Sequence, residues 1–356
     1  FISIVFDGRN YTEKISTWEI FNFHPSKRDI CKDRCIPLGS DALPKKIVVE
    51  TSNFEMRPLW GSSTQLSTKG HPLNLLAMAV GFKQKDTVNQ IVKKFCSSEF
   101  MVMLFHYDGI VDKWREFSWN DQVIHVSAAY QTKWWFAKRF LHPDIVAHYN
   151  YIFVWDEDIG VGKFDPKRYL SIVKKEGFEI SQPALDPTKS IIHHPITRRR
   201  RNSSAHRRMY KYKGSSQCYG NSTSPPCVGW VEMMVPVFSN MAWRCAWYML
   251  QNDLIHAWGM DKQLGYCAQG DRTKNIGVVD SEYIVHLGLP TLGSLNDVKE
   301  QEKQGINESR VQVRRQSSDE MRMFWKRWEM AAKADKCWVD PFLKGTNGTR
   351  QEKCIV

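Results

Sequence analysis

Apolar and polar positions along this chain change period several times, and each change marks an element. Residues 75–80 are uniformly apolar, 86–95 carry apolar side chains at helical spacing, and Phe100–His106 are apolar again. Uniform apolar runs of this length predict strands buried on both faces, while a three-and-four spacing predicts an amphipathic helix. The alternation continues with a short strand over 123–126, a helix over 133–141 and a strand over Tyr151–Trp155. Asp165 followed by Pro166 opens a helix over Pro166–Glu176, since Pro at the first helical position after an Asp cap is a start signal. Residues 179–185 read as extended, as do 231–238, after which Ser239 caps a helix running to Gln251. Asp261 opens a short helix reaching Cys267, and 276–279 and 283–287 are two further apolar stretches. This rhythm predicts an α/β fold with a mixed, mostly parallel central sheet flanked by helices. Residues 1–70 are polar and turn-rich and form an extension, 71–295 form the domain, and 296–356 form a helical tail whose Phe324, Trp325 and Trp328 make a stripe that packs on it.

The strand Tyr151–Trp155 ends in three consecutive acids, Asp156, Glu157 and Asp158. Carboxylates spaced i, i+2 at a strand end point the same way, and ligands of such sheets bind at the carboxyl ends of strands. Two hard oxygen donors there suit Mg²⁺ or Mn²⁺ together with a substrate diphosphate; the bland alternative is an acidic surface turn.

Charge and cysteine usage narrow the setting. The chain has 356 residues and a net charge of +12. Between Asp186 and Glu232 there is no acid, while Arg198, Arg199, Arg200, Arg201, Arg207, Arg208, Lys211 and Lys213 crowd together. Such a run attracts phosphate or a polyanion, or is a solvated mobile loop; no zinc-finger, helix-turn-helix or RNA-binding pattern accompanies it. The nine cysteines include no paired C-x-x-C array, which argues against structural zinc. Sequons at Asn10, Asn202, Asn221, Asn307 and Asn347, with Cys218 and Cys227 bracketing Asn221, predict a secretory lumen and a Cys218–Cys227 disulfide. No stretch is long enough to cross a bilayer, so an anchor would lie outside this chain.

Several segments carry a family resemblance. They are Phe54-Glu-Met-Arg-Pro-Leu-Trp-Gly61, Val102-Met-Leu-Phe-His-Tyr-Asp-Gly109, Gln131-Thr-Lys-Trp-Trp-Phe-Ala-Lys-Arg-Phe140, Trp155-Asp-Glu-Asp158, Ser181-Gln-Pro-Ala184, Gly229-Trp-Val-Glu-Met-Met234 and His256-Ala-Trp-Gly-Met-Asp261. Together they resemble the plant domain-of-unknown-function 707 family, also labelled lysine ketoglutarate reductase trans-splicing related. The reductase label implies a dinucleotide fingerprint, and none occurs: Gly160-Val-Gly162 lacks the third glycine and follows the acids.

A second resemblance, to GT-A glycosyltransferases, accounts for more. It implies a nucleotide-diphospho-sugar transferase fold in which Asp156 and Asp158 hold Mn²⁺ or Mg²⁺, Asp158 directly. His286 completes the metal site, and Asp261, in Trp258-Gly-Met-Asp261, takes the proton of the acceptor hydroxyl. Met260 stands where that motif commonly has a first acid. The nucleotide sugar, UDP- or GDP-linked, would then meet Lys133, Lys138 and Arg139 at its phosphates, or these are a solvated helix face. Asp108 would meet its base or ribose, or forms a turn before Gly109. Trp230 and Glu232 would meet the sugar, and His193 and His194 touch phosphate or metal or are structural. The implied activity is metal-dependent transfer to a glycan or glycoprotein acceptor, inverting if Asp261 is the base, in the Golgi lumen on a type II anchor. A catalytically silent carbohydrate-binding protein on the same fold is the alternative, and a nucleic-acid binder is a third.

Overall fold

The computed structural model describes residues 73–289 except 97, 98, 215 and 216, together with 308–342 and Pro44, Ile47 and Val48. The chain divides into a unit Phe1–Thr51 and a unit Ser52–Val356, and the sheet and its helices belong to the second. Cys31, Cys35, the 54–61 motif and the sequons at Asn10, Asn307 and Asn347 lie outside the described residues.

Four strands, β1 (Asn74–Val80), β2 (Phe100–His106), β3 (Ile124–Ser127) and β4 (Tyr151–Trp155), lie parallel in the order β3-β2-β1-β4. Their connections contain helices α1 (Lys85–Phe95) and α2 (Lys133–Phe140). Beyond β4 the sheet continues through β8 (Val237–Ser239), β6 (Ile180–Leu185), β9 (Ile276–His286) and β5 (Ile159–Gly160), with β7 (Ala205–His206) also on β9. β8 is antiparallel to both its neighbours, so β6 and β9 run the same way as β4. The mixed, mostly parallel sheet expected from the apolar rhythm is therefore present.

Alternation along the strands builds two cores. Leu76, Met78, Val80, Val102, Leu104, Phe153 and Trp155 face one layer, which α1 and α3 (Pro166–Glu176) cover with Val88, Ile91, Phe95, Tyr169, Leu170 and Val173. Leu75, Ala77, Met103, Phe105, Ile152 and Val154 face the other, covered by α2 and α4 (Asn240–Met249) through Phe136, Ala137, Ala242 and Trp243. Burial on both faces is why these strands read as continuous apolar runs rather than alternating ones. Caps fix the helix starts: Asp165 accepts from the Arg168 N–H and Ser239 from the Ala242 N–H. A single turn, α5 (Arg272–Asn275), leads directly into β9. A last helix, α6 (Glu308–Ala334), lays Ser317, Glu320 and Phe324 into the second layer, with Trp325 and Trp328 beside them.

Three elements differ from the sequence expectation. Residues 231–236 form no strand, although Pro236 and Met234 offer carbonyls to the Val154 and Asp156 N–H groups at 3.1 and 3.0 Å. Pro236 has no N–H to return, so the ladder closes only from Val237. Residues 261–267 form two 3-10 turns, Met260–Lys262 and Leu264–Cys267, instead of one helix. The two apolar stretches after Ile276 are one strand, β9, whose register against β6 shifts between Pro183 and Ala184.

Cys218 and Cys227 are bonded as expected, and a second disulfide, Cys245–Cys267, ties α4 to the turn after Lys262. At the end of β2, His106 is fully buried and shares a 2.8 Å hydrogen bond from Nε2 to His125 Nδ1. His125 Nε2 donates to the Asn120 carbonyl, so His125 Nδ1 accepts and His106 Nδ1 is left a bare acceptor with no partner. Burial first, and the His125 neighbour second, hold His106 neutral, with its pKa lowered to about 3.

Replacing Cys245 and Cys267 together by Ser, which opens a loop of sequence separation 22, is expected to cost roughly 3 kcal/mol, read from urea denaturation midpoints. His106 contributes stability above pH 6.5 that is lost as the pH falls towards 3, because only the unfolded chain accepts the proton. His106→Leu is therefore expected to lose less stability than the wild type between pH 7 and pH 4.5, measured by the same midpoints.

Candidate functional site

β4 delivers its acids to the carboxyl edge of the sheet, beside the ends of β1 and β2, where ligands of such sheets bind. The alternation that splits the core also splits the acids. Asp156 meets Lys133, the first residue of α2, with Oδ1 2.7 Å from Nζ. Asp158 meets His286, with Oδ2 3.3 Å from Nε2. Glu157 points elsewhere: its Oε2 accepts from the Gly81 N–H at 2.7 Å and its Oε1 from the Tyr107 hydroxyl. Glu157 thus joins the ends of β1 and β2 to β4, and burial pushes its carboxyl up to about 8.

The Asp158–His286 pair is a product of strand pairing. β5 follows the acids directly and pairs antiparallel with the end of β9, which sets Ile159 opposite His286, and Leu287 N–H donates to the Asp158 carbonyl at 3.0 Å. The imidazole is held on its other side, where Nδ1 donates to the Ile191 carbonyl at 3.1 Å. The Asp158 hydrogen bond raises the His286 pKa to about 9, so the ring is an imidazolium at neutral pH. Lys133 is buried and also donates to the Met233 and Met234 carbonyls at 2.7 and 2.9 Å. Burial lowers its pKa while Asp156 opposes that shift. Asp156 in turn is raised by burial and by Asp158 and lowered by Lys133, and its side chain keeps 39 % of its surface open to the crevice.

Glu232 and Asp261 complete the cluster. Asp156, Asp261, Lys133 and His286 all act electrostatically on Glu232, whose pKa burial raises to about 7. Its backbone N–H donates to Gln182 Oε1 at 2.5 Å, and its buried Oε2 has no partner. Asp261 has its pKa raised, first by burial, and accepts from the Lys262 N–H and the Trp230 indole. Trp230 is 2 % exposed and packs on His194 with ring centroids 4.5 Å apart. It therefore orients Asp261, and its buried ring leaves no open face for the sugar it was expected to meet. His193 lies 5.8 Å from His286, ring to ring.

Other expected residues are engaged away from the acids. Lys138 Nζ donates to the Trp247 carbonyl at 2.8 Å and lies over that indole. Arg139 is exposed over Trp135. Of the three cations expected at the phosphates, only Lys133 is at the acids. Both Asp108 oxygens accept backbone N–H groups, from Phe82 at 2.7 Å and Ile110 at 2.9 Å, so Asp108 shapes the loop after β1. The basic segment is largely built in: Arg199 donates to the Asp280 carbonyl, Arg207 pairs with Glu176, and Arg208 donates to the Gly220 and Ser222 carbonyls. His206 locks the same segment through Asp280 Oδ2 at 2.8 Å. Sequence reasoning missed Gln182, Tyr107 and the Trp230–Asp261 bond; Gln182 and Tyr107 stand inside the quoted family segments, but nothing in a linear pattern says which acid they serve.

Among the described residues no group of three or more His, Cys, Asp or Glu is arranged to hold a metal ion. The donors at the strand end are of the kind Mn²⁺ or Mg²⁺ takes, and Asp156 and Asp158 each leave one oxygen outside their ion pairs. A cation there would compete with the His286 imidazolium for Asp158. Among the described residues no helix is long and apolar enough to cross a membrane.

Fold and site together define a mixed α/β protein whose candidate site is a charge-compensated acid cluster at the carboxyl edge of its sheet. Residues 34–334 match the family described as protein of unknown function DUF707, and the chain belongs to that family. No curated protein matches it. It is similar to the solved structure of Staphylococcus aureus TarS 1–349, with 9 % identity, a TM-score of 0.38 and 59 % of each chain covered. It is also similar to the glycosyltransferase GlyE of Streptococcus pneumoniae TIGR4, with 8 % identity, a TM-score of 0.33, and 74 % of this chain and 64 % of that one covered. The apo form of GlyE gives 12 % identity and a TM-score of 0.28, covering 56 % and 41 %. The chain thus spans less than two thirds of each of these proteins.

Lys133→Met is expected to destabilise the fold by about 2 kcal/mol, less than a fully buried pair would lose, because Asp156 stays partly open to water. Urea midpoints check this, and Asp156→Asn in the same background is expected to recover part of the loss.

Proposed function

We propose that this chain is a metal-dependent glycosyltransferase of the GT-A kind, moving a sugar from a UDP- or GDP-linked donor to a glycan or glycoprotein hydroxyl. The observation that carries the proposal is the acid cluster itself: Asp156 and Asp158 at the end of a buried strand, each facing a cation, with Glu232 within electrostatic reach of both Asp156 and Asp261. Asp156 and Asp158 would hold Mn²⁺ or Mg²⁺, with His286 as third ligand once its proton is lost. The metal supplies charge that stabilises the leaving diphosphate.

The protein's residues do the rest. Lys133 keeps positive charge beside Asp156 and adds to the field at the diphosphate. Asp261 takes the proton of the acceptor hydroxyl while its oxygen bonds to the anomeric carbon and the bond to the diphosphate breaks, which inverts that centre. Its raised pKa brings the carboxylate closer to the range in which a general base is effective. Trp230 holds its orientation. Glu232, in the same cluster, would meet the sugar. Two disulfides and exposed sequons at Asn202 and Asn221 support a secretory compartment, with the Golgi lumen and a type II anchor outside this chain as the proposed setting.

One observation favours a second reading, a catalytically silent carbohydrate-binding protein: both acids already carry a protein cation, as a retired metal site would. Calorimetry separates the two. UDP or GDP is expected to bind in the presence of Mn²⁺, with binding lost in Asp158→Ala; absence of Mn²⁺-dependent binding of either nucleotide would sink the transferase. Asp261→Asn is expected to bind nucleotide normally and to lose transfer, assayed against a panel of nucleotide sugars.

A further inference from the structure

The loop that carries Asp261 has little regular structure of its own. Residues 250–259 form no helix or strand, Ala257 sits at φ 55°, and Gly259 at φ 91° precedes the 3-10 turn Met260–Lys262. Such a segment holds a side chain in place only if something outside it does so. α6 supplies the contacts. Glu320, 3 % exposed, accepts from the His256 N–H through Oε2 at 2.8 Å and pairs through Oε1 with His256 Nδ1 at 2.9 Å. One turn further along α6, the Trp325 indole donates to the Gly259 carbonyl at 3.4 Å, and a Cβ on Gly259 would come within 2.8 Å of Nε1 of that indole. Lys262, next to Asp261, lies with its ammonium 4.6 Å from the centre of the Trp325 ring.

The same loop is fastened on the side of the acids. Thr132 Oγ1 donates to the Ile255 carbonyl, and Thr132 is the N-cap of α2, accepting from the Trp135 N–H at 3.2 Å. The next residue is Lys133, 2.7 Å from Asp156. An unbroken series of contacts thus runs from Glu320 through His256 and Ile255 to Thr132, Lys133 and Asp156.

We propose that α6 is a working part of the site, and that Glu320, by clasping His256, is a positioning residue that holds Asp261 in register with the acids of β4. The inference rests on the reading of Asp261 as acceptor base, and it assigns a role in transfer to a helix that sequence pattern alone makes a packing tail. Glu320 touches no reacting atom; it acts through the loop.

The test compares Glu320→Ala and Glu320→Gln with Arg322→Ala, whose guanidinium pairs with Asp319 on the helix itself. Loss of one or two buried hydrogen bonds is expected to speed hydrogen exchange of the 256–262 amides by roughly ten- to a hundredfold. Transfer kcat is expected to fall by about the same factor with the donor KM unchanged, since a displaced base weakens chemistry and not donor binding. Mn²⁺–UDP or Mn²⁺–GDP binding is expected to stay within about twofold of the wild type, as the donor-side acids are untouched. Arg322→Ala is expected to change none of these. Should Glu320→Ala fail to fold, Glu320→Gln carries the same readouts, because its amide keeps the size but turns a donor towards one of the two His256 donors. Unchanged exchange in a folded Glu320 variant overturns the proposal, as does faster exchange with kcat intact. If the wild type transfers no sugar, the reading of Asp261 as base fails separately. The exchange data then still decide whether α6 holds the loop.

Discussion

The structure turns on charge compensation at the end of β4. A strand buried on both faces cannot release two carboxylates into a partly dry crevice without cations to meet them, because an unpaired buried charge costs several kcal/mol. Lys133 and His286 are those cations, and they arrive from different directions. Lys133 is the first residue of α2 and is directed by the cap at Thr132, while His286 is the last residue of β9. The packing of α2 on the sheet and the pairing of β5 with β9 are therefore both coupled to the electrostatics of the site.

Strand alternation sets Glu157 on the opposite side of the strand end from Asp156 and Asp158, where it finds the Gly81 N–H and the Tyr107 hydroxyl instead. Glu157 thereby works as a tie between three strand ends, whereas Asp156 and Asp158 remain the pair that faces the crevice. Gln182, holding the Glu232 backbone from β6, extends the same device one strand further.

The basic segment illustrates how charge in sequence and charge in structure diverge. Eight cations within 198–213 read as a polyanion surface or a mobile loop. In the fold, Arg199, Arg200, Arg207 and Arg208 donate to carbonyls or pair with Glu176, and His206 is clasped by the fully buried Asp280. The guanidinium's several donors let one side chain close a loop that has no regular hydrogen bonding, a use that leaves the same composition as ligand binding does.

Features that rest on local physics were legible in the chain alone. Doubly buried strands must be uniformly apolar, so β1, β2 and β4 could be read within a residue; Asp165 and Ser239 cap locally, so the starts of α3 and α4 could be read too. The acids at the end of β4 followed from the same run. Local reasoning failed where a residue's role depends on a distant partner. Trp230 read as a residue that meets the sugar and is a buried donor to Asp261. Lys133 and Lys138 stand five positions apart on one helix, yet one meets Asp156 and the other the Trp247 carbonyl. The Cys245–Cys267 bond and the Glu320–His256 clasp join residues 22 and 64 positions apart. Periodicity fixes which face a side chain takes; what stands opposite that face is settled in the tertiary structure, because it depends on how separate elements cross in space.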